Sequence, residues 1–344
     1  MAKKLGLISK LIYGINIVFA LLLLFSFVLR YVPPKEYPNI SLLSLTVSPL
    51  IVINIIFVIY WILNLKSKAL LSIIVLVFTY LYFGSFFKIS SEENTGDYKN
   101  TLKVLSYNVR FFNAYDKKEK QKNIPKIISS FIEKEKPEVV FIQEIFKLNK
   151  IDLSEYPYQF IYHKKEHQLG HAIFSKYPLL NKKSFDFEKS SNNSIYADVV
   201  KGKDTIRIYN VHFQSLSILP SFSFLKETGS NILRQRISEA FIKQQAQIEL
   251  ILKHKEKSKY PVIICGDFNN TQFSYIYHKL SEGMYDAFKE KGNGIGTTFL
   301  FEKYPLRIDY ILSSKKLEVI SFEAIGKTFS DHFPITATLG WDKK

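Results

Sequence analysis

Hydrophobic positions along the chain fall into two regimes that meet near Ser90. Before that point they are nearly continuous, in three runs: Leu11 to Leu29, Leu42 to Leu65 and Ala69 to Phe87. Each run approaches or exceeds the roughly 17 to 25 apolar residues that a membrane-crossing helix needs, and none contains a charge. Asn16, Asn54 and Asn64 are the strongest polar interruptions. A secretory signal would explain the first run alone, but no small-residue cleavage site precedes Arg30-Tyr31 and two more runs follow. The pattern predicts three transmembrane helices within residues 1–90, with a proline-containing connection from Tyr31 to Asn39 and a tight turn from Asn64 to Lys68.

After Ser90 the pattern changes. Residues 91–100 are polar and read as a juxtamembrane linker. From Thr101 onward, β-like runs alternate with segments of helical spacing, predicting one domain over residues 101–344. Leu102 to Val109, Val139 to Ile142, Ile195 to Val200, Ile206 to Val211, Val262 to Cys265, Ile308 to Leu312, Leu317 to Phe322 and Ile335 to Leu339 read as strands. Ile124, Ile127, Ile128, Phe131 and Ile132 share a helical face, and Asn231 to His254 is the longest helix expected. Hairpins mixed with helical crossovers indicate an α/β fold of four layers: two packed mixed sheets flanked by helices.

Charge adds orientation and a partner class. Lys3, Lys4 and Lys10 precede the first apolar run and Lys66 and Lys68 lie between the second and third, so those ends are expected on the cytoplasmic side. Three crossings would then leave the C-terminal domain on the outer face of the membrane. Arg30, Lys35 and Lys88 oppose this assignment. The formal charge is +16; residues 1–90 hold eight Lys/Arg and one Glu, leaving 39 basic against 30 acidic residues in the remainder. Such a surplus suits an anionic partner, nucleic acid or a phospholipid surface, as well as an ordinary solvated surface. The single cysteine, Cys265, lies inside an apolar strand and is expected to fill the core.

Polar clusters recur at the ends of these strands: Tyr107-Asn108-Val109, Gln143-Glu144, Asn210-Val211-His212, Gly266-Asp267-Phe268-Asn269, Arg307-Ile308-Asp309-Tyr310 and Ser330-Asp331-His332. Carboxylates, amides and imidazoles build little core. They are what a magnesium-dependent phosphate-cleaving site requires. Glu144 emerges at the rim of a buried strand, where it can hold a cation. Asp267 and Asn269 share a face if the chain stays extended past Cys265. Asp309, in an apolar strand, needs a partner, and His332 would fix its own tautomer by accepting that role. Asp331 is a turn residue or faces the metal. His212 alone would be a core histidine; beside a second His and several carboxylates it becomes a general acid.

Read in order, these clusters resemble the endonuclease/exonuclease/phosphatase superfamily, from about Leu102 to Leu339. The resemblance implies that Asn108 and Glu144 bind Mg²⁺ or Mn²⁺ with Asp331 nearby. It implies that Asp267 activates water, Asn269 contacts phosphate, Asp309 and His332 form a dyad, and His212 serves acid catalysis or phosphate contact. His171, in the family-like segment from Gly170 to Pro178, has an open role. The expected activity is metal-dependent phosphodiester hydrolysis by a membrane-anchored enzyme. A nuclease is the leading reading, a sphingomyelinase-like phospholipid phosphodiesterase the alternative, and a phosphomonoesterase a more distant one. For the alternative, the apolar segment Leu216 to Leu225 either dips into a bilayer or packs against the transmembrane helices.

Overall fold

The computed structural model describes residues 6–64, 66–84, 86–113, 123–147, 151–164, 168–326 and 330–344. Helix α1 (Leu7–Phe25) continues as a 3-10 turn to Tyr31; α2 (Pro38–Ser41) and a second 3-10 turn lead into α3 (Val47–Leu63), and α4 (Ala69–Phe83) returns. Their outer faces remain apolar and open, with Leu11, Ile56 and Leu81 all more than half exposed, as suits a hydrocarbon surrounding. Two segments, Leu7–Tyr31 and Pro38–Leu63, are long and apolar enough to cross a membrane.

The third expected crossing is corrected. Helix α4 has 15 residues and is ended by Gly84 at φ 71°. That is roughly 22 Å of helix, short of the ~30 Å hydrocarbon layer. It packs along α1 and α3. Two of the polar interruptions turn inward, while Asn64 stays exposed: Asn16 donates to Ser72 Oγ at 2.6 Å, Ser72 to Asn54 Oδ1 at 2.9 Å, and Trp61 Nε1 to Asn16 Oδ1 at 3.0 Å. A buried polar group among apolar helices must find such partners.

Residues 91–100 are not simply a linker. Glu93 N–H donates to the Ile320 carbonyl, a 3-10 turn spans Thr95–Asp97, and strand β1 (Tyr98–Asn108) already begins at Tyr98 opposite Lys343. The last strand is long enough to pair with these residues, which the local polar composition does not reveal.

Twelve strands build two six-stranded sheets. The first holds β1, β2 (Val139–Phe146), β3 (Tyr158–His163), β4 (Leu169–Ser175), β13 (Glu318–Ala324) and β14 (Ile335–Lys343), in the order β13-β14-β1-β2-β4-β3. The second holds β5 (Leu179–Ser184), β6 (Ser194–Lys201), β7 (Asp204–His212), β8 (Val262–Asp267), β9 (Met284–Asp286) and β12 (Asp309–Ser314), in the order β5-β6-β7-β8-β12-β9. Each sheet carries one central parallel pair, β1 with β2 and β7 with β8, flanked by antiparallel neighbours. A separate hairpin joins β10 (Phe299–Phe301) and β11 (Tyr304–Leu306).

Facing side chains of the two sheets, Val104, Phe141 and Ile173 from one and Ile208, Ile263 and Cys265 from the other, fill the central core. Helix α5 (Ile124–Glu135) covers the outside of the first sheet with Ile124, Ile128 and Ile132, and Asn123 caps it by accepting from Lys126 N–H. Beyond the second sheet lie α7 (Ser230–Lys255) and α8 (Tyr275–Ser281), through Ile248, Ile251, Ile276 and Leu280. The short helices α6 (Phe222–Thr228) and α9 (Ala287–Lys291) complete the fold. The expected α/β sandwich of four layers is therefore present.

The sandwich sits on one end of the helical hairpin. Arg30 Nη2 lies 2.7 Å from His278 Nδ1, Ser48 Oγ lies 2.8 Å from the Tyr304 hydroxyl, and Lys289 Nζ donates to the Phe83 carbonyl at 2.8 Å. The C-terminal ends of α1 and α4 and the N-terminal end of α3 thus share the side that carries the sandwich.

Candidate active site

Strand register assembles the polar clusters into two rows. In the first sheet Asn108 is level with Gln143, and Gln143 with His171; in the second, His212 is level with Asp267, and Asp267 with Asp309. Both rows lie at the same rim of the sandwich. Buried amides tie them: Gln143 Nε2 donates to Asn210 Oδ1 at 2.7 Å, and Asn210 Nδ2 donates to the carbonyls of Ile142 and Ala172 at 2.9 Å. All six clusters contribute to this one region.

Backbone irregularity aims the central groups. The pairing of β2 with β4 shifts register between Gln143 and Ile145, and Glu144 occupies the bulge at φ 57°. A bulge re-aims a side chain, here toward the second sheet. Gly266 has φ 138°, and a Cβ there would stand 2.0 Å from the Val211 carbonyl oxygen. Only glycine lets β8 deliver Asp267 so close to β7.

Around the centre, Asn108 Nδ2 donates to Glu144 Oε1 at 3.2 Å and to Asp267 Oδ2 at 3.1 Å. His212 Nε2 is 3.5 Å from Glu144 Oε1 and 3.6 Å from Asp267 Oδ2. His332 points one nitrogen at each of two carboxylates, Nδ1 to Asp309 Oδ2 at 3.0 Å and Nε2 to Asp267 Oδ2 at 3.7 Å. Thr298 Oγ1 accepts from the backbone N–H of Asp309 and the Phe299 ring lies 4.9 Å from the His332 ring.

Burial drives the electrostatics. It raises the Glu144 carboxyl, an effect that His332 and the Asn108 hydrogen bond reduce. It pushes Asp267 up to about 8, against the pull of His332 and with the repulsion of Asp309. Burial alone would lower His332, but Asp309 and Asp267 outweigh it and hold the imidazole at about 10, protonated at neutral pH. Among the described residues, no carboxylate oxygen faces His171 or His212 as closely as Asp309 faces His332. Burial lowers His171 to about 3 and His212 well below its usual value, so both are neutral.

Two details depart from the extended-strand expectation. Asn269 has φ 49°, and its N–H donates to Asp267 Oδ1 at 2.7 Å while its side chain donates to the Phe213 carbonyl at 3.0 Å. The chain therefore turns directly after Asp267, because an Asp side chain competes for nearby backbone donors. Asn108 Oδ1 is taken by the Arg110 N–H at 3.1 Å, and Asp331 pairs with Arg110 Nε at 3.4 Å, away from the compact group.

The donor set fits a hard divalent cation. Oxygens of Glu144 and Asp267, carried by different sheets, both meet Asn108 Nδ2, and such grouped hard carboxylate oxygens are what a divalent cation takes. Among the described residues, Asp267, Asp309 and His332 also bring three metal-capable side chains within 4.8 Å of one another. A protonated His332 held by Asp309 is no ligand, so the Glu144 side of the centre suits a cation better.

Some participants carry no sequence signature. Asn192, in the loop before β6, donates to His212 Nε2 at 2.8 Å, and its Oδ1 accepts from Ser215 N–H, which sets the amide's orientation. Arg307, inside a motif, turns away into a buried pair with Asp286 at 2.7 Å. The site opens into a cleft of about 950 Å³.

Residues 105–332 match the model of the endonuclease/exonuclease/phosphatase family. The chain belongs to that family. Residues 9–86 match a model described as a domain of unknown function. No curated protein sequence matches the chain. Solved structures with the same fold include an endonuclease/exonuclease/phosphatase from Bacteroides vulgatus, 20% identical over 71% of this chain and 100% of that one, with a TM-score of 0.56. A family protein from Bacteroides thetaiotaomicron is 19% identical over 71% and 98%, TM-score 0.54. TDP2 from D. rerio, humanized by 14 mutations, is 17% identical over 70% and 99%, TM-score 0.52. The family membership and fold support a phosphoric ester hydrolase.

Proposed function

We propose that this protein is a membrane-anchored, Mg²⁺- or Mn²⁺-dependent phosphodiesterase, with residues 1–90 as anchor and residues 101–344 as catalytic domain. The observation that carries it is the convergence of Glu144 and Asp267 oxygens on Asn108 Nδ2, with His332 and His212 on the same centre. Glu144, with Asn108 through its amide oxygen and Asp331 on the cleft wall, would hold the divalent cation, which would supply Lewis acidity to the phosphate. Asp267, in its ionised form, accepts a proton from the attacking water. Protonated His332, kept so by Asp309, donates from Nε2 to the phosphoryl oxygens as their charge grows. Asn269 lies on the cleft wall for phosphate contact. His212 is neutral through burial and gains a proton only beside an anionic phosphate, so we assign it the leaving oxygen.

The outer-face location is part of this proposal. The sandwich packs on the connection between the two long helices, opposite Lys10 and Lys66, and the shorter α4 runs from the Lys66 side back to it, so a cytoplasmic N-terminus leaves it outside. The net positive charge supports the nuclease reading; Leu216 to Leu225 at the cleft supports the phospholipid reading.

Full-length protein in nanodiscs tests the reaction class. Bis(p-nitrophenyl) phosphate is expected to be hydrolysed with Mg²⁺ or Mn²⁺, not with EDTA, and at least about a hundredfold more slowly by Asp267→Ala and His332→Ala. Turnover that survives both substitutions rejects the assigned site.

A further inference from the structure

Beyond the catalytic centre the cleft is lined largely by apolar residues. From the catalytic centre outward its walls are Leu216 and Leu219 on one side and Phe301 and Leu306 of the β10–β11 hairpin on another. Leu45 and Pro49, which belong to the membrane-length segment Pro38–Leu63, also line it. The anchor is thus a wall of the catalytic cleft. Ser48 Oγ, 2.8 Å from the Tyr304 hydroxyl, fastens that wall to the hairpin. Leu219 and Phe222 at the rim are 58% and 63% exposed, an apolar edge at the same end of the molecule. A nucleic acid would need cations along its path. Among the described residues lining the cleft Arg110 is the sole Lys or Arg, and it pairs with Asp331.

We propose that the substrate is a membrane lipid phosphodiester that enters sideways from the bilayer, its hydrocarbon chain along Leu45, Pro49, Leu219 and Leu306 and its phosphate at the Glu144 and Asp267 end. This rests on the phosphodiesterase reading above and adds its substrate class. Water forms the new P–O bond, the P–O bond to the leaving alcohol breaks, one water proton ends on that alcohol and the other is released. The products are an alcohol and a phosphate monoester.

The test uses full-length protein in nanodiscs with methyl, butyl and octyl p-nitrophenyl phosphates, which share one leaving group, each kept below its micelle-forming concentration. Apolar burial predicts that kcat/KM rises by up to about fourfold per methylene until the cleft is filled. The octyl-to-methyl ratio should fall at least tenfold in Leu45→Ser and in Leu306→Ser. Because the ratio is taken within one preparation, partial unfolding cancels. A ratio near one in the wild type overturns the proposal, and so does a high ratio that neither substitution lowers, which simple partitioning into the bilayer would produce. Cleavage of plasmid DNA or RNA without release of headgroup from phosphatidylcholine and phosphatidylglycerol vesicles also overturns it. If none of the three diesters is hydrolysed with metal, the catalytic reading itself fails.

Discussion

Asp267 and Asp309 stand directly opposite each other on the antiparallel strands β8 and β12, and His332 lies with one ring nitrogen toward each. Two carboxylates at that separation repel in a buried setting, and the imidazolium is the charge that lets them coexist. His332→Gln keeps a hydrogen-bonding group but loses the charge. We expect kcat to fall about 10²- to 10³-fold, with a smaller change in KM, measured by steady-state hydrolysis of a nitrophenyl diester.

The same trio sets a pH dependence in metal-free protein. His332 is raised from 6.5 to about 10, so its stabilisation is complete below 6.5 and is lost as pH rises toward 10. Asp267 is raised from 3.8 to about 8, so the fold favours its protonated form and this contribution too is lost as pH rises from 3.8 through 8. Both act in one direction. The thermal midpoint of full-length protein in EDTA should fall between pH 6.5 and 9, and Mg²⁺ should reduce the fall by favouring ionised Asp267. A midpoint that rises over that interval contradicts the charge assignment.

Glu144→Gln removes an anionic oxygen but preserves shape at the bulge. The Mg²⁺ concentration for half-maximal activity should increase at least about tenfold. An unchanged requirement would move the cation away from the first sheet.

Gly266→Ala is expected to be destabilising by about 2–4 kcal/mol. The backbone lies at φ 138° and the new methyl would meet the Val211 carbonyl oxygen. The thermal midpoint measures this, and the parallel pairing of β7 with β8 is what should loosen.

Arg307→Ala separates structure from chemistry within one motif. It leaves Asp286 buried without its cation, a loss of about 3–5 kcal/mol. Activity per folded molecule should change far less than in His332→Gln, because Arg307 faces Asp286 and Gln272, not the centre.

Much of this protein is local in origin and was legible as such. Apolar runs without charge, the isoleucine face of Ile124, Ile128 and Ile132, and polar residues stranded at the ends of β runs are each properties of neighbouring residues. They determined the apolar N-terminal helices, the layered α/β architecture and which side chains to gather. What they could not determine depends on contacts between distant segments. The end of α4 is held by Lys289, which donates to the Phe83 carbonyl, and the conversion of a polar linker into the start of β1 turns on pairing with Lys343 and Trp341. Asn192 and Ser215 orient His212 from loops with no pattern of their own. Strand register placed Asn108, Gln143 and His171 in one row and His212, Asp267 and Asp309 in another, and a bulge turned Glu144 between them. Only packing of the sandwich on the helix ends made Leu45 and Pro49 part of the cleft, since which surfaces meet is decided by the whole fold's burial of apolar area and not by any one segment.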